Sequence, residues 1–280
     1  MKNLAFILPI AAAFALTACD NIDENERWNE KVPVDIKKNV LIEDFTGQRC
    51  VNCPTAANLI HTLQEGKIGE NIIAVSIHGG SMSFSVDQLP FGLATTYGEE
   101  YNNHWGVKTW PNGMVDRKDG LQEYTQWETS VAQRLTIEPK VDIDIHTEYD
   151  GNASDTQWGK AIITVNLTEN EEGSLENAHL NVWITENDIV AMQLLPDGSN
   201  KTDYIHNHVL RDVLTETYGE TVNFDAEGRA TKTITYDVPK VYGRGSKSEV
   251  GNMNVVVFVT DGAEGEVLQV EDATLVPTAE

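Results

Sequence analysis

The chain has few cysteines, few positive charges and no long apolar segment. It contains 3 cysteines in 280 residues, and 20 Lys and Arg against 44 Asp and Glu give a formal net charge of -24. This negative charge repels nucleic acid, so DNA or RNA is not expected as a partner. The apolar runs are shorter than the ~20 residues that span a bilayer. A glycine-rich phosphate loop is also missing from the sequence, and we expect no cofactor.

The N-terminal residues have the pattern of a bacterial lipoprotein signal. An apolar and small-residue run over residues 4–16 is followed by Thr17, Ala18 and Cys19. A short apolar core with small residues before the cleavage point is typical of a secretion signal. We predict that residues 1–18 are a signal peptide and that Cys19 is the lipid-modified first residue of the mature protein. Two or three acyl chains there would anchor the protein stably, at about 0.8 kcal/mol per buried CH₂.

Residues 19–38 are predicted to be an acidic, lipidated tether. They are polar and show no periodicity, so they are expected to lift the folded part off the membrane. The acidic residues 20–26 resemble the surface-export signals of some Gram-negative bacteria, and a solvated linker is the alternative interpretation. We therefore expect a lipid-anchored protein of the cell outer membrane that faces either the periplasm or the surface.

The first half of the folded chain has the pattern of a strand, a helix and a second strand. Residues 40–45 form an apolar run that predicts a buried strand, and residues 53–63 carry apolar side chains at helical spacing before Gly66. Residues 71–78 predict a second buried strand, parallel to the first. We assign residues 39–138 to an α/β domain.

The second half, residues 139–280, has alternating polar and apolar residues. Strands are predicted at residues 141–149, 160–167, 180–186, 231–238 and 254–260, with a weaker run near Val267. This spacing is typical of an antiparallel β-sandwich. Residues 203–218 interrupt the pattern and are predicted to be a long connection or a short helix.

The sequence Cys50-Val51-Asn52-Cys53-Pro54 lies where the first strand passes into the helix. The compartment outside the cytoplasm permits a disulfide between its two cysteines. Backbone N–H groups and the dipole at a helix N-terminus stabilise a thiolate, and Arg49 adds positive charge. Cys50 is therefore the candidate nucleophile, and Cys53 is the candidate resolving thiol that displaces a substrate from a mixed disulfide.

Two other interpretations of this cysteine pair stay open. A purely structural disulfide would close a loop of ~4 residues and stabilise the fold by only about 2 kcal/mol in the chain-entropy model. Half of a zinc site would need two more ligands, and the sequence has no second cysteine pair. The histidines and carboxylates considered as metal ligands are His78, His104, and the pair His206 and His208 with Asp203 or Asp212.

Residues around the cysteine pair resemble the thioredoxin superfamily. In that superfamily Asp-Phe, four further residues and Cys-x-x-Cys connect the central strand to the active-site helix, and this chain has Asp44-Phe45 at the same distance before Cys50. The resemblance implies that Asp44 is the buried carboxylate that relays protons to the resolving cysteine. It also implies that Pro111, after Trp110, is the cis-proline facing the disulfide. Arg49 replaces the usual tryptophan before the first cysteine, which puts the redox potential in question.

Over the whole chain the sequence is similar to the family of twenty-eight-kilodalton outer-membrane lipoproteins of Gram-negative bacteria. The segments that carry this similarity are residues 45–47, 50–54, 110–111, 182–186 and 204–208. The similarity implies a thioredoxin-like domain followed by an immunoglobulin-like β-sandwich.

Two functions follow as hypotheses. In the first, the protein exchanges thiols and disulfides with extracytoplasmic proteins, with Cys50, Cys53, Asp44 and Pro111 as its site. In the second, it is a non-enzymatic binding or adhesion lipoprotein with a structural disulfide, and its partners are other envelope components. An accessible, reducible disulfide is expected from the first hypothesis, and a buried, very stable one from the second.

Overall fold

A computed structural model describes residues 37–88, 91–244 and 246–277. The predicted signal peptide, Cys19 and nearly all of the predicted tether lie outside these ranges. None of the helices in the described ranges has the length and apolar character needed to cross a membrane.

The described chain is rich in β-strands, as predicted. The helices are α1 (Cys53–Glu65), α2 (Thr96–His104) and α3 (Trp127–Arg134). The strands are β1 (Val40–Thr46), β2 (Ile72–His78), β3 (Asn112–Val115), β4 (Lys118–Gln122), β5 (Val141–Asp150), β6 (Gln157–Glu169), β7 (Ala178–Glu186), β8 (Ile189–Leu194), β9 (Asn200–His206), β10 (Val209–Val213), β11 (Glu220–Thr221), β12 (Arg229–Pro239), β13 (Val241–Tyr242), β14 (Ser246–Lys247), β15 (Met253–Asp261) and β16 (Val267–Thr274).

Strand β1, helix α1 and strand β2 form the predicted strand–helix–strand unit. The two strands are parallel and in register from Val40 opposite Ile72 to Thr46 opposite His78. Pro54 lies in the first turn of α1, where its missing N–H removes no helical hydrogen bond. The buried face of α1 includes Ala56, Ile60 and Leu63, at the spacing that places side chains on one side of a helix. This packing fixes the start of α1 beside the end of β1.

A nine-stranded sheet continues from this unit into the second half of the chain. Its order is β16-β15-β7-β10-β2-β1-β3-β4, with β11 also paired to β7. Strand β10 lies parallel to β2 and antiparallel to β7. Hydrogen bonding thus crosses the predicted boundary between residues 138 and 139. That residues 39–138 and residues 139–280 are an α/β domain and an all-β domain stays a prediction.

The prediction of a connection or short helix over residues 203–218 was wrong. This segment holds the end of β9 and the whole of β10, which is an inner strand of the large sheet. The pattern misled because polar residues are buried here. Arg211 is 2% exposed, and its Nε lies 2.9 Å from Glu186 Oε2 on the neighbouring strand.

Two apolar clusters hold the sheets together. In the first, the antiparallel sheet β12-β6-β5 packs against β7 and β15 through residues such as Ile163, Val165, Val182 and Val257. The second lies on the other side of the large sheet, where Phe45, Val75, Trp183 and Phe258 belong to one cluster. The segment between β2 and β3 contributes Tyr101 of α2 to this second cluster.

Buried charges are paired where β1 meets the turn between β3 and β4. Arg117 Nη2 lies 3.0 Å from Glu43 Oε1, and both side chains are 1% exposed. Asp116 Oδ2 lies 3.1 Å from Lys38 Nζ and 2.8 Å from Arg134 Nε. These pairs connect the start of the described chain to the turn after β3 and to α3.

Candidate functional site

The two cysteines form a disulfide at the start of α1. Cys50 and Cys53 are bonded, with their Cα atoms 5.4 Å apart. The backbone N–H of Cys53 donates a hydrogen bond to Cys50 Sγ at 3.1 Å. A donor at a helix N-terminus stabilises a thiolate relative to a thiol. That Cys50 is the nucleophile stays a prediction.

The turn before Cys50 is held by backbone contacts. Cys50 N donates to Gly47 O at 3.0 Å, and Arg49 N donates to Met82 O at 2.8 Å. The exposed Arg49 places its guanidinium 5.6 Å from the ring centre of Phe84. A Cβ on Gly47 would overlap the carbonyl group of Met82. Glycine is thus needed here for the close approach of two backbone segments.

Replacing Gly47 by alanine is expected to lower the free energy of unfolding by about 1–3 kcal/mol, because the Met82 backbone must move. Urea unfolding of the detergent-solubilised protein measures this change. Gly251→Ala is the control, since nothing lies within 4 Å of a Cβ at that position. Its effect is expected to stay below about 0.5 kcal/mol. Equal effects of the two substitutions would contradict the steric argument.

The two cysteines border different spaces. Cys50 lines an open groove together with Val51, Lys108 and Trp110. Cys53 lines a separate cavity that also contains Asp44. The exposed fractions of the cysteines are nearly equal, at 4% for Cys50 and 3% for Cys53. What distinguishes them is therefore the space each one borders and not their exposure.

The groove beside Cys50 is closed on one side by the Trp110–Pro111 segment. The peptide bond between these residues is cis, which the thioredoxin resemblance implied. Pro111 itself is buried, while Trp110 lines the groove. Arg49 and Lys108 also border it, so the groove carries positive charge in a strongly acidic chain. The part played by Pro111 stays a prediction.

Asp44 is a buried carboxyl group that lines the same cavity as Cys53. It is 1% exposed, and its Oδ1 has no hydrogen-bond partner within the described part of the chain. Burial raises the pKa of Asp44 to about 8. At neutral pH the group therefore holds a proton beside the cavity that Cys53 lines.

A hairpin formed by β8 and β9 supports the cysteine loop, and the sequence did not reveal it. Gln193 is 3% exposed, and its Nε2 donates to Cys50 O at 2.9 Å and to Gly47 O at 3.3 Å. Leu194 N donates to Gln48 O at 2.8 Å. A glutamine in an alternating strand carries no signal of such a role, because its contacts are more than 140 residues away in the chain.

The family is decided by the second half of the chain. A family model described as outer membrane protein Omp28 matches residues 98–278. The chain belongs to this family. The Omp28 family consists of outer membrane lipoproteins, so the predicted outer-membrane location is confirmed. The match includes Trp110, Pro111 and the β8–β9 hairpin and begins after the cysteine pair.

Solved structures add information on the fold. HBP35 of Porphyromonas gingivalis superposes with a TM-score of 0.66 at 16% identity, over 88% of this chain and 79% of that one. At this identity the likeness concerns the fold alone. A domain of the outer membrane lipoprotein Omp28 from the same organism is 25% identical, over 50% of this chain and 92% of that domain, with a TM-score of 0.34. No curated protein sequence matches the chain.

Three of the residues considered as metal ligands, His208, Asp212 and His104, contact other side chains in this Omp28 family member. His208 Nε2 lies 3.0 Å from Gln64 Oε1, and Asp212 Oδ2 accepts from Tyr236 Oη at 3.1 Å. His104 Nε2 lies 3.2 Å from Glu264 Oε1. Across the described ranges, no group of three or more His, Cys, Asp or Glu side chains is arranged to hold a metal ion.

Proposed function

We propose that the protein is a lipid-anchored thiol–disulfide exchange protein of the outer membrane, attached through Cys19 and acting on extracytoplasmic proteins. The observation that carries the proposal is the asymmetry of the disulfide. Cys50 borders an open groove beside a cis-proline segment, and Cys53 borders a cavity that holds the protonated Asp44. This asymmetry fits a Cys50 sulfur that reacts with the substrate and a Cys53 sulfur that exchanges a proton with Asp44.

The strand order supports a thioredoxin-like fold for residues 39–138. Strands β2-β1-β3-β4 are neighbours, β1 and β2 are parallel, and β3 is antiparallel to β1. Helix α1 follows β1 and begins at Cys53. The resemblance implied this position for the active-site helix. An immunoglobulin-like sandwich over residues 139–280 is the second part of the proposal, supported by the packing of β5, β6 and β12 on β7 and β15.

The exchange reaction can be written for the reduced pair. The Cys50 thiolate attacks one sulfur of a substrate disulfide, forms a mixed disulfide and releases the first substrate thiolate. Cys53 then passes its proton to the Asp44 carboxylate and attacks Cys50 Sγ, and the second substrate thiolate leaves. The substrate gains two electrons and the cysteine pair loses two. The product is the Cys50–Cys53 disulfide beside a protonated Asp44. The reverse sequence of steps oxidises the substrate thiols and reduces the cysteine pair.

A second function is favoured by the burial of the disulfide. Both cysteines are nearly inaccessible, which fits a structural bridge in a binding or adhesion lipoprotein. Under this alternative the broad β-rich part makes the contacts with other envelope components, and the bond is never reduced.

The reduction potential of the pair separates the two functions. We expect the full-length protein in detergent, equilibrated with glutathione, to have a potential within about -120 to -270 mV, the range of exchange proteins. A value below about -300 mV, with both thiols resistant to alkylation, would contradict the exchange function and support a structural disulfide.

Cysteine variants test which sulfur meets substrate. Cys53→Ser leaves Cys50 free and is expected to accumulate a mixed disulfide with a model peptide disulfide. Cys50→Ser is expected to form little of it and to lose disulfide-reductase activity, since Cys53 borders the inner cavity. Gel mobility under non-reducing conditions measures the adduct, and alkylation confirms that each variant has a free thiol. Equal adduct formation would contradict the assigned roles.

A further inference from the structure

A polar cavity of about 180 Å³ lies between α1 and strand β9. One wall comes from the carboxyl ends of β1 and β2, where Asp44 is opposite Ser76 and Thr46 is opposite His78. The opposite wall comes from β9 and includes Tyr204 and His206. Strands β1 and β2, which are neighbours in the large sheet, thus face strand β9. This strand begins more than 120 positions after the end of β2.

Three buried polar atoms belong to residues that line this cavity and have no hydrogen-bond partner in the described part of the chain. They are Asp44 Oδ1, His78 Nδ1 and His206 Nε2. The rings of His78 and His206 are 5.4 Å apart and edge to face. Buried polar atoms are nearly always hydrogen-bonded to protein or to water. A shared cavity beside three unsatisfied atoms is therefore a place for ordered water.

The cavity has room for several water molecules. A site for one water needs on the order of 10–15 Å³ of this volume and two to four polar partners. The titratable and charged groups around it come from every element packed against it: Asp44 of β1, His78 of β2, Cys53 and His61 of α1, Tyr204 and His206 of β9, His208 after β9, and Arg211 of β10 with Glu186 of β7.

The two imidazoles are neutral in this environment. Burial lowers the pKa of His206 to about 4, and backbone hydrogen bonds to Met192 and Ala191 offset part of that effect. Burial, together with the nearby His206 and Arg211, also lowers the pKa of His78 well below its usual range. A neutral imidazole has one nitrogen that donates and one that accepts, so it can pass a proton along a chain of waters without holding a charge.

We propose that this cavity is the water-filled path by which Asp44 exchanges its proton with solvent, and that His206 is the positioning residue that holds the water chain beside Asp44. This inference rests on the proposed exchange function. Opening the disulfide delivers a proton from Asp44 to the Cys53 thiolate and leaves a buried carboxylate. Because burial disfavours the charged form, that carboxylate takes a proton from outside while the pair is reduced, and it must release this proton before it can accept the one from Cys53 in the next turnover. Exposed His61 and Asn207 and half-buried Gln64 also line the cavity and give the path an outer end.

The test is the steady-state rate at which the full-length protein, reduced continuously by dithiothreitol, reduces a model peptide disulfide, because each turnover requires Asp44 to exchange its proton with solvent. Rates are followed by acid quench and thiol labelling between pH 5 and 9, in H₂O and D₂O, and are normalised to the dithiothreitol thiolate concentration. His206→Phe removes both ring nitrogens and is expected to slow reduction about tenfold at pH 6–7 and to alter the pH profile. His206→Gln keeps a donor and an acceptor and is expected to restore at least half of the rate.

His146→Phe is the matched control, because its side chain is 68% exposed on strand β5. Near-ultraviolet circular dichroism checks the fold of each variant. Should His206→Phe not fold, Tyr204→Phe removes a single hydroxyl from the wall, and a threefold slower reduction is expected. A folded variant with the wild-type rate and pH profile would overturn the path alone. A wild-type disulfide that dithiothreitol cannot reduce would overturn the exchange function and the path together.

Discussion

Removing one partner of the buried pair Glu43 and Arg117 is expected to lower the free energy of unfolding by about 3–5 kcal/mol, because the other charge is left buried and unpaired. Arg117 Nε donates to Glu43 Oε2 at 3.0 Å, and Nη2 donates to Oε1 at 3.0 Å. The guanidinium also lies 5.4 Å from the ring centre of Trp105 and 5.2 Å from that of Phe258. Arg117→Met and Glu43→Leu are the two single variants, measured by urea unfolding at pH 7.

The double variant Glu43→Leu/Arg117→Met shows whether the loss comes from the unpaired charge. An apolar pair of similar volume is expected to be as stable as the wild type or more stable. Lys160→Met is the surface control, because Lys160 and Asp237 are about half exposed and such pairs contribute at most about 1 kcal/mol. Single variants that lose less than about 1 kcal/mol would show that the interior solvates either charge on its own.

The residues predicted correctly are those whose neighbours in space are also near in sequence. The strand at 40–45, the helix from Cys53 and the strand at 71–78 follow from local patterns, and the structure has β1, α1 and β2 there. The disulfide joins residues three positions apart. Because the helix starts at Cys53, the placement of Cys50 at a helix N-terminus could be derived without any tertiary information.

The contacts that were missed depend on sheet register, which local patterns do not determine. Glu43 is an exception inside an apolar run, and its partner Arg117 is 74 positions away, after strand β3 has paired with β1. His206 and Gln193 reach the site because β10 pairs with β2 and carries the β8–β9 hairpin to the start of α1. A one-residue shift in any of these pairings would turn the side chains to the other face.

Asp44→Asn is expected to raise the free energy of unfolding by about 2–4 kcal/mol at pH 7 and to leave it nearly unchanged near pH 4. The folded pKa of about 8 lies above the value of about 3.9 in an unfolded chain, so between these values the folded protein holds a proton that the unfolded chain has lost. The contribution of Asp44 to the free energy of unfolding is fully present below pH 4. It falls by about 1.4 kcal/mol per pH unit as the pH rises towards 8. Asparagine has nearly the same shape and no proton to lose.

Urea unfolding of the oxidised wild type and the oxidised Asp44→Asn variant at pH 4, 5.5 and 7 measures this difference. A gap that grows with pH supports a protonated, buried Asp44, whereas a gap independent of pH would mean that the carboxyl group is ionised in the folded protein. In the exchange assay the same variant is expected to reduce and reoxidise more slowly, because Cys53 has lost its proton partner. A variant that is more stable and less active would mean that Asp44 destabilises the folded protein but supplies a proton that the exchange reaction needs. A purely structural disulfide does not need such a proton donor.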